Sequence, residues 1–186
     1  RHIVSLFEVV HSPTHVYIVQ ECLAGGELFD HLLSKGACNE SAAQDLFAQL
    51  ILALEYLHAL QVAPRHIKAV HLVFEARGAP TLKLIDFGPA DKWSTDFGLT
   101  GLVGTPQYMA PEVVLGWYGR EGVEPTMETY SFACDLWSAG VLLYELLAFA
   151  MPFGAADTAA VLEKVACATD CPQGLRFRPQ KAWANI

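Results

Sequence analysis

The sequence contains Asp86-Phe87-Gly88 and, further along, Gly104-Thr105-Pro106-Gln107-Tyr108-Met109-Ala110-Pro111-Glu112, and these two runs decide the expected fold. Asp-Phe-Gly is a common tripeptide and is weak evidence when it is taken alone. Its place in the chain makes it informative, because three further runs accompany it in order. They are Tyr56-Leu57-His58, Pro64-Arg65-His66-Ile67-Lys68-Ala69-Val70-His71 and Asp135-Leu136-Trp137-Ser138-Ala139-Gly140-Val141. Chance is a poor explanation for the whole set.

The composition is that of a globular domain rich in apolar residues. The chain has 186 residues, enough for one domain with a full hydrophobic core, and 53% of them are hydrophobic while 17% are charged. The net charge of -8 argues against a nucleic-acid partner, which would need a basic face. The small basic run at residues 176–181 is expected to be a solvated surface turn.

The cysteines and the hydropathy pattern indicate the cellular compartment in which the protein is expected. The five cysteines are dispersed and form no Cys-x-x-Cys pair, which is typical of a reducing environment. Cys167 and Cys171 could share a helix face, but a metal site there is not favoured. The apolar run at residues 136–144 is far too short to cross a bilayer, and the chain opens without a recognisable signal peptide. We therefore expect a cytoplasmic domain with no membrane segment.

The residue patterns predict a small hairpin followed by a mostly helical body. Residues 3–10 and 16–20 are β-branched and aromatic runs split by a polar turn, which is typical of a hairpin. A short helix is expected at residues 27–33. Asn39 is expected to cap a second helix, whose apolar residues recur at helical spacing over residues 43–58.

The second half of the chain is expected to add another hairpin and two more helices. Residues 72–74 and 82–85 flank Gly78-Ala79-Pro80, a turn signal. Residues 134–149 are apolar nearly all round, which is typical of a buried central helix. A last helix is expected over residues 156–168.

The ordered runs resemble the motifs of eukaryotic protein kinases of the serine/threonine type. The run Gly25-Gly26-Glu27-Leu28-Phe29-Asp30 is most similar to the calcium/calmodulin-dependent and calcium-dependent group of that family. The resemblance implies a kinase-like α+β fold over residues 1–186, which covers only part of the family's domain. Residues 1–22 would supply the last strands of the small lobe and the hinge, and residues 23–186 the large lobe without its final helices.

The resemblance also implies ATP and Mg²⁺ as cofactors. The backbone of Glu21 and Leu23 would hydrogen-bond the adenine, with Gln20 at the gatekeeper position. Val73 would form the apolar floor under the adenine ring. Glu27 matches a carboxylate that holds the ribose or a basic side chain of the substrate.

Five further residues match the family's catalytic and regulatory positions. Asp86 would bind Mg²⁺ between the phosphates, and Lys68 would lie near the γ-phosphate with the Thr105 hydroxyl beside it. Asp135 would brace the backbone of the catalytic loop. Arg65 matches the arginine that can pair with a phosphorylated activation loop.

The catalytic loop departs from the family at three positions. His66 stands at the position of the catalytic aspartate; a neutral imidazole can accept a proton but lacks the fixed negative charge that orients the substrate hydroxyl. His71 stands at the position of the asparagine that is the second metal ligand, and imidazole is a poor ligand for Mg²⁺. Pro64 replaces a histidine that helps to position the loop. Losing one such group costs on the order of 10²–10⁴ in rate, so catalysis is expected to be impaired.

Other parts of the family's machinery are not found in the sequence. Neither a Gly-x-Gly-x-x-Gly loop nor the phosphate-pairing lysine and its glutamate partner can be placed. Glu112 matches a residue that pairs with an arginine of the family's late helices, and we expect it to be solvated. Residues 116–130 lengthen the usual gap between Glu112 and Asp135 and are expected to be a surface insertion.

His66, His71 and Asp86 allow a second interpretation of the loop. Two histidines and one carboxylate form the type of site that takes Fe²⁺ or Zn²⁺. The alternative is that both histidines are substitutions in a site no longer in use, and the sequence alone favours this alternative.

Three functions from different classes remain open at this point. The domain is a serine/threonine kinase that acts on protein substrates, or a pseudokinase that binds or scaffolds a protein partner, or a non-functional product of a kinase gene. Family membership is the firm expectation, and activity is the doubtful one. The sequence leaves the oligomeric state undetermined.

Overall fold

Five α-helices and three two-stranded antiparallel sheets make up the part of the chain that the computed structural model describes, residues 1–168. The strands are β1 (Leu6–His11), β2 (Val16–Gln20), β3 (Val62–Ala63), β4 (Leu72–Phe74), β5 (Leu82–Leu84) and β6 (Asp91–Lys92). The helices are α1 (Leu28–Lys35), α2 (Glu40–Ala59), α3 (Pro111–Trp117), α4 (Ala133–Ala148) and α5 (Thr158–Ala166). Short 3₁₀ helices cover Ala69–His71 and Pro106–Tyr108. This is the kinase-like α+β architecture that the sequence predicts.

The predicted first hairpin is present as β1 and β2. Their antiparallel register pairs Leu6 with Gln20 and His11 with Val16. Side chains on both faces of the hairpin are exposed, including Phe7 at 68% and Ile18 at 64%. The segment before β1 joins the body, because the Val4 amide donates to the Leu84 carbonyl at 3.0 Å.

Local signals explain the limits of the first two helices. Gly36 has a φ of 78°, a conformation that favours glycine, and it ends α1 by donating its amide to the Leu32 carbonyl. The Asn39 side chain accepts a hydrogen bond from the Ala42 amide at 2.9 Å and so caps α2. Both helices and the Asn39 cap are confirmed.

The main core lies where α2 and α4 pack together with the β4–β5 hairpin. Leu50 and Leu54 of α2 and Leu142 and Leu146 of α4 are buried within it. The prediction of a buried α4 is therefore confirmed for most of its length. The exceptions are Leu136, which is 51% exposed, and the exposed Gly140 and Phe149.

The expectation of a surface insertion at residues 116–130 is wrong at both ends. Gly116 lies buried within α3, and Tyr130 is only 6% exposed. Tyr130 exchanges two backbone hydrogen bonds with Leu99, at 2.7 and 3.0 Å, so the segment returns to the core before α4 begins. The exposed stretch is limited to the middle of the segment.

A buried pair ties the Pro106–Tyr108 helix to α4. The Tyr108 hydroxyl donates to the Glu145 carboxylate at 2.6 Å, and the Ser138 hydroxyl donates to the Tyr108 carbonyl at 2.7 Å. Burial raises the pKa of Glu145, and the hydrogen bond from Tyr108 opposes the rise only in part. The pair therefore positions the segment that leads from Thr105 to α3.

Some expectations concern residues beyond position 168. The basic run at residues 176–181 and Cys171 lie outside the described residues. Among residues 1–168, no helix has the combined length and apolar character that crossing a bilayer requires.

The Asn39 cap should contribute measurably to stability. Asn39→Ala removes the acceptor for the Ala42 amide and should lower the free energy of unfolding by about 1 kcal/mol, whereas Asn39→Asp keeps an acceptor and should have a much smaller effect. Urea unfolding of the three proteins measures the difference. Equal losses for both variants would show that the side-chain oxygen does not cap α2.

Glu145 should make stability depend on pH in a predictable direction. Because the folded pKa is raised, the stabilising contribution is fully present below the unfolded pKa and is lost as the pH rises through the folded pKa. Glu145→Gln keeps an oxygen for Tyr108 and removes the titration. The free energy of unfolding of the wild type, relative to that of Glu145→Gln, should therefore fall from about pH 4 to neutral pH. A difference that is constant across this range would contradict the prediction.

Candidate functional site

The β4–β5 hairpin brings the loop of residues 64–71 next to Asp86. The strand register pairs Leu72 with Leu84, and the Ile85 amide continues the ladder by donating to the His71 carbonyl at 2.9 Å. Asp86 follows directly and therefore lies beside His71. Its φ of 62° is unusual for a residue other than glycine, so the surrounding contacts must hold this backbone conformation.

His66 occupies the centre of the site and uses both ring nitrogens. Its Nδ1 donates to Oδ2 of Asp86 at 2.9 Å, and its Nε2 lies 3.0 Å from the Thr105 hydroxyl. The Lys68 ammonium also donates to the Thr105 hydroxyl, at 3.1 Å. The structure thus brings four predicted site residues into one hydrogen-bonded chain that runs from Lys68 through Thr105 and His66 to Asp86.

His71 completes the cluster from the other side. Its Nδ1 donates to the His66 carbonyl at 2.9 Å and lies 3.4 Å from Oδ2 of Asp86. The two imidazole rings meet edge to face, with their centroids 4.4 Å apart. Burial lowers the pKa of His71, and the hydrogen bond to the His66 carbonyl opposes this only in part. His71 is therefore neutral at neutral pH.

The Asp86 carboxylate is kept in its charged form. Burial acts to raise its pKa, but the hydrogen bonds from the Gly88 amide and from His66, together with the nearby imidazoles, outweigh that effect. The net result is a pKa below the ordinary value. The carboxylate is partly open to solvent, with 35% of the side chain exposed.

Asp135 anchors the loop of residues 64–71 to helix α4. It is fully buried in α4 and accepts hydrogen bonds from the Arg65 amide at 2.8 Å and from Nε2 of His58 at 2.9 Å. Arg65 has a φ of 61°, so the position of the loop depends on a backbone conformation that this contact helps to hold.

The Arg65 guanidinium is already engaged by the segment that follows Asp86. It donates to the carbonyls of Pro89 and Thr100, each at 2.9 Å, and lies 3.4 Å from the Asp91 carboxylate. A phosphate group on the segment would therefore have to exchange with these contacts in order to pair with Arg65.

The residues predicted to contact adenine line the edge between the first hairpin and the body. Among the backbone hydrogen bonds of residues 1–168 outside the helices and strands, none involves the Glu21 carbonyl or the Leu23 amide. Val73 is buried, and Glu27 pairs with it through an isolated β-bridge. These groups suit the flat, apolar adenine ring with its polar edge.

Sequence reasoning missed the side-chain role of Glu21. Lys83 donates to both of its carboxylate oxygens, at 2.6 and 2.7 Å, and also lies 3.2 Å from Glu75. The hydrogen bond from Lys83 is the main reason why the pKa of Glu21 is lowered. A signal was available, because a lysine inside the apolar run of residues 82–85 needs a partner when it is buried.

Glu112 does not join the site. It is exposed at the start of α3, and its carboxylate has no hydrogen-bond or ion-pair partner within residues 1–168.

The cluster of His66, His71 and Asp86 is a poor fit to Mg²⁺. Magnesium prefers oxygen ligands in near-octahedral geometry, whereas two of the three side chains here present nitrogen. The residues that would hold the metal of a bound nucleotide therefore do not fit the expected ion.

Comparison with known proteins agrees with this architecture. A family profile described as "Protein kinase domain" matches residues 1–182. The serine/threonine-protein kinase SRK2J of Arabidopsis thaliana is 40% identical over 152 residues, covering 82% of this chain and 42% of that protein. The CBL-interacting serine/threonine-protein kinase 17 of the same plant is 36% identical, covering 88% of this chain and 36% of that protein. The human serine/threonine-protein kinase H2 is 38% identical, covering 82% of this chain and 38% of that protein.

The chain therefore belongs to the protein kinase domain family. The three relatives named above are serine/threonine kinases. The chain spans about two fifths or less of the length of these relatives.

The Asp135 carboxylate should be essential for the stability of the loop. Asp135→Ala leaves the buried Arg65 amide and the His58 ring without their acceptor, which should cost about 1–3 kcal/mol in the free energy of unfolding. Asp135→Asn keeps one oxygen and should cost less. Urea unfolding compares the three proteins. A loss from Asp135→Ala no larger than that from Asp135→Asn would show that the one oxygen that asparagine keeps does not stabilise the loop.

Proposed function

We propose that this domain is a serine/threonine kinase family member that retains a nucleotide-binding edge but is impaired in phosphoryl transfer. The observation that carries the proposal is the position of His66, which lies between Asp86 and Thr105 and is hydrogen-bonded to both. The alternatives are a pseudokinase that acts as a binding or scaffold module and a non-functional kinase product.

The hydrogen bonds of His66 support the proposal that phosphoryl transfer is impaired. A catalytic base must have a free acceptor within hydrogen-bond reach of the substrate hydroxyl. Both nitrogens of His66 are already engaged, Nδ1 with Asp86 and Nε2 with Thr105. To accept a proton from a substrate, the imidazole would have to give up one of these bonds, and it lacks the negative charge of the aspartate that the family places there.

The metal ligands support the same conclusion. Asp86 uses Oδ2 to accept from His66, and the other predicted metal ligand, His71, presents nitrogen. Family members need Mg²⁺ to neutralise the charge that develops on the transferred phosphoryl group. The donor set of this chain suits that ion poorly, so nucleotide binding without transfer is the expected outcome.

The kinase subgroup, the lobe boundaries, the partner and the location are likewise proposals. The run Gly25-Gly26-Glu27-Leu28-Phe29-Asp30 supports a place near the calcium/calmodulin-dependent and calcium-dependent kinases. Residues 1–22 and 23–186 are proposed as small-lobe and large-lobe parts. A protein substrate or partner and a cytoplasmic location are proposed from the family and from the dispersed cysteines.

Restoring the family's residues should restore activity. The double variant His66→Asp/His71→Asn supplies a carboxylate and an amide oxygen, and it should raise the rate of phosphate transfer from ATP to a peptide by about 10²–10⁴. The rate is measured with radiolabelled ATP and Mg²⁺. Asp86→Ala in the double variant serves as the blank, and the exposed His11→Asn is the matched control. A parent protein as fast as the double variant would overturn the proposal.

Thermal melting distinguishes the three functions. A rise in melting temperature with ATP would show that the adenine edge binds nucleotide, because a ligand that binds only the folded state stabilises it. A cooperative melt without such a rise would favour the scaffold module. A chain with no cooperative melt that binds a hydrophobic dye would be a non-functional product.

A further inference from the structure

His66, His71 and Asp86 form a compact group of metal-ligating side chains. Each offers one ligand atom, and these atoms all lie within 4.8 Å of one another. Oδ2 of Asp86 is 2.9 Å from Nδ1 of His66 and 3.4 Å from Nδ1 of His71. Ligand atoms that each lie about 2.1 Å from a tetrahedral ion are about 3.4 Å apart. To enclose an ion, Nδ1 of His66 would move back from Asp86, and Nδ1 of His71 would leave the His66 carbonyl.

We propose that these three residues bind a divalent transition metal ion, with Zn²⁺ as the best-fitting choice, in the absence of any nucleotide. The ion class follows from the donors. Two imidazole nitrogens and one carboxylate oxygen suit Zn²⁺ and its transition-metal neighbours, whereas Mg²⁺ needs an oxygen shell. This site goes beyond the proposed function, because it requires neither ATP nor phosphoryl transfer.

A second layer of hydrogen bonds orients the imidazole of His66. Ligating histidines usually place their other ring nitrogen against an oxygen, which fixes the ring. With Nδ1 of His66 directed at Asp86, its Nε2 lies 3.0 Å from the Thr105 hydroxyl. That hydroxyl also accepts from Lys68, so its position is fixed in turn. Nδ1 of His71 donates to the His66 carbonyl at 2.9 Å in the metal-free structure, and binding of the ion by this nitrogen would replace that hydrogen bond.

The site leaves room for an additional ligand. The three side chains are between 14% and 35% exposed, so the cluster opens to solvent on one side. Three protein ligands with an open position are the arrangement of metal sites that retain a water or an exogenous ligand, in contrast to closed structural sites with four protein ligands.

Calorimetry on the metal-free protein tests the site directly. After treatment with a chelator, the protein is titrated with ZnCl₂ alone and, separately, with MgCl₂ alone. We expect one Zn²⁺ per chain and no comparable uptake of Mg²⁺. Cobalt titration gives an independent readout, because Co²⁺ in a four-coordinate site produces intense visible absorption.

The variants are matched to the ligands. Asp86→Asn keeps the size of the side chain and tolerates the positive φ, and it should weaken Zn²⁺ binding by at least about 10–100-fold, as should His66→Asn and His71→Asn. His11→Asn and Cys167→Ser change exposed groups away from the site and should bind as the parent does. Circular dichroism checks that each variant is folded.

Two results would overturn the proposal. One is Zn²⁺ binding that is unchanged in the folded Asp86→Asn and His71→Asn proteins, since the ion would then lie elsewhere. The other is Mg²⁺ binding as tight as that of Zn²⁺. Neither result depends on the rate of phosphate transfer, so failure of the metal site and failure of the proposed function are distinguishable.

Discussion

The position of the site depends on one buried carboxylate. Asp135, on the central helix α4, accepts from the Arg65 amide and from His58 on α2, and so joins two core helices to the loop that carries His66. A buried charge is tolerable only when hydrogen bonds replace its lost hydration. The same bonds hold Arg65 at a positive φ, which directs the next residue, His66, toward Asp86. Scaffold and site thus share a single anchoring interaction.

The β4–β5 hairpin is the second constraint, because its register places His71 beside Asp86. Because the backbone geometry is fixed in this way, the ion that the site prefers depends on the donor atoms of the side chains at positions 66, 71 and 86. Oxygen donors at the positions of His66 and His71 would favour Mg²⁺ and a charged base. Nitrogen donors favour softer ions, and an imidazole at position 66 lacks the negative charge of the family's catalytic aspartate. Nitrogen donors at these two positions are therefore enough to change which ion the site can bind.

Local features of the fold could be predicted from the sequence. Contacts between residues far apart in the sequence could not. The first hairpin, the Asn39 cap and the β4–β5 turn follow from short-range patterns of apolar, turn and capping residues. The backbone pairing of Tyr130 with Leu99 was missed, because no local sequence pattern predicts which distant segment a loop will hydrogen-bond. The candidate site divides in the same way. Family motifs select its residues, but the bond from His66 to Thr105 depends on a rotamer that only packing determines.

The hydrogen-bonded chain around His66 can accommodate either the free or the metal-bound state. Without a metal, Nδ1–H of His66 donates to Asp86, and in the tautomer with a single ring proton Nε2 accepts from the Thr105 hydroxyl. If Nδ1 became a ligand, the ring proton would move to Nε2 and donate to Thr105 instead. The hydroxyl oxygen has two lone pairs, so it can accept from both Lys68 and His66. Nδ1 of His71 donates to the His66 carbonyl, so its binding to the ion would end that hydrogen bond as well. The proposed ion would therefore compete with two hydrogen bonds, the one between His66 and Asp86 and the one from His71 to the His66 carbonyl.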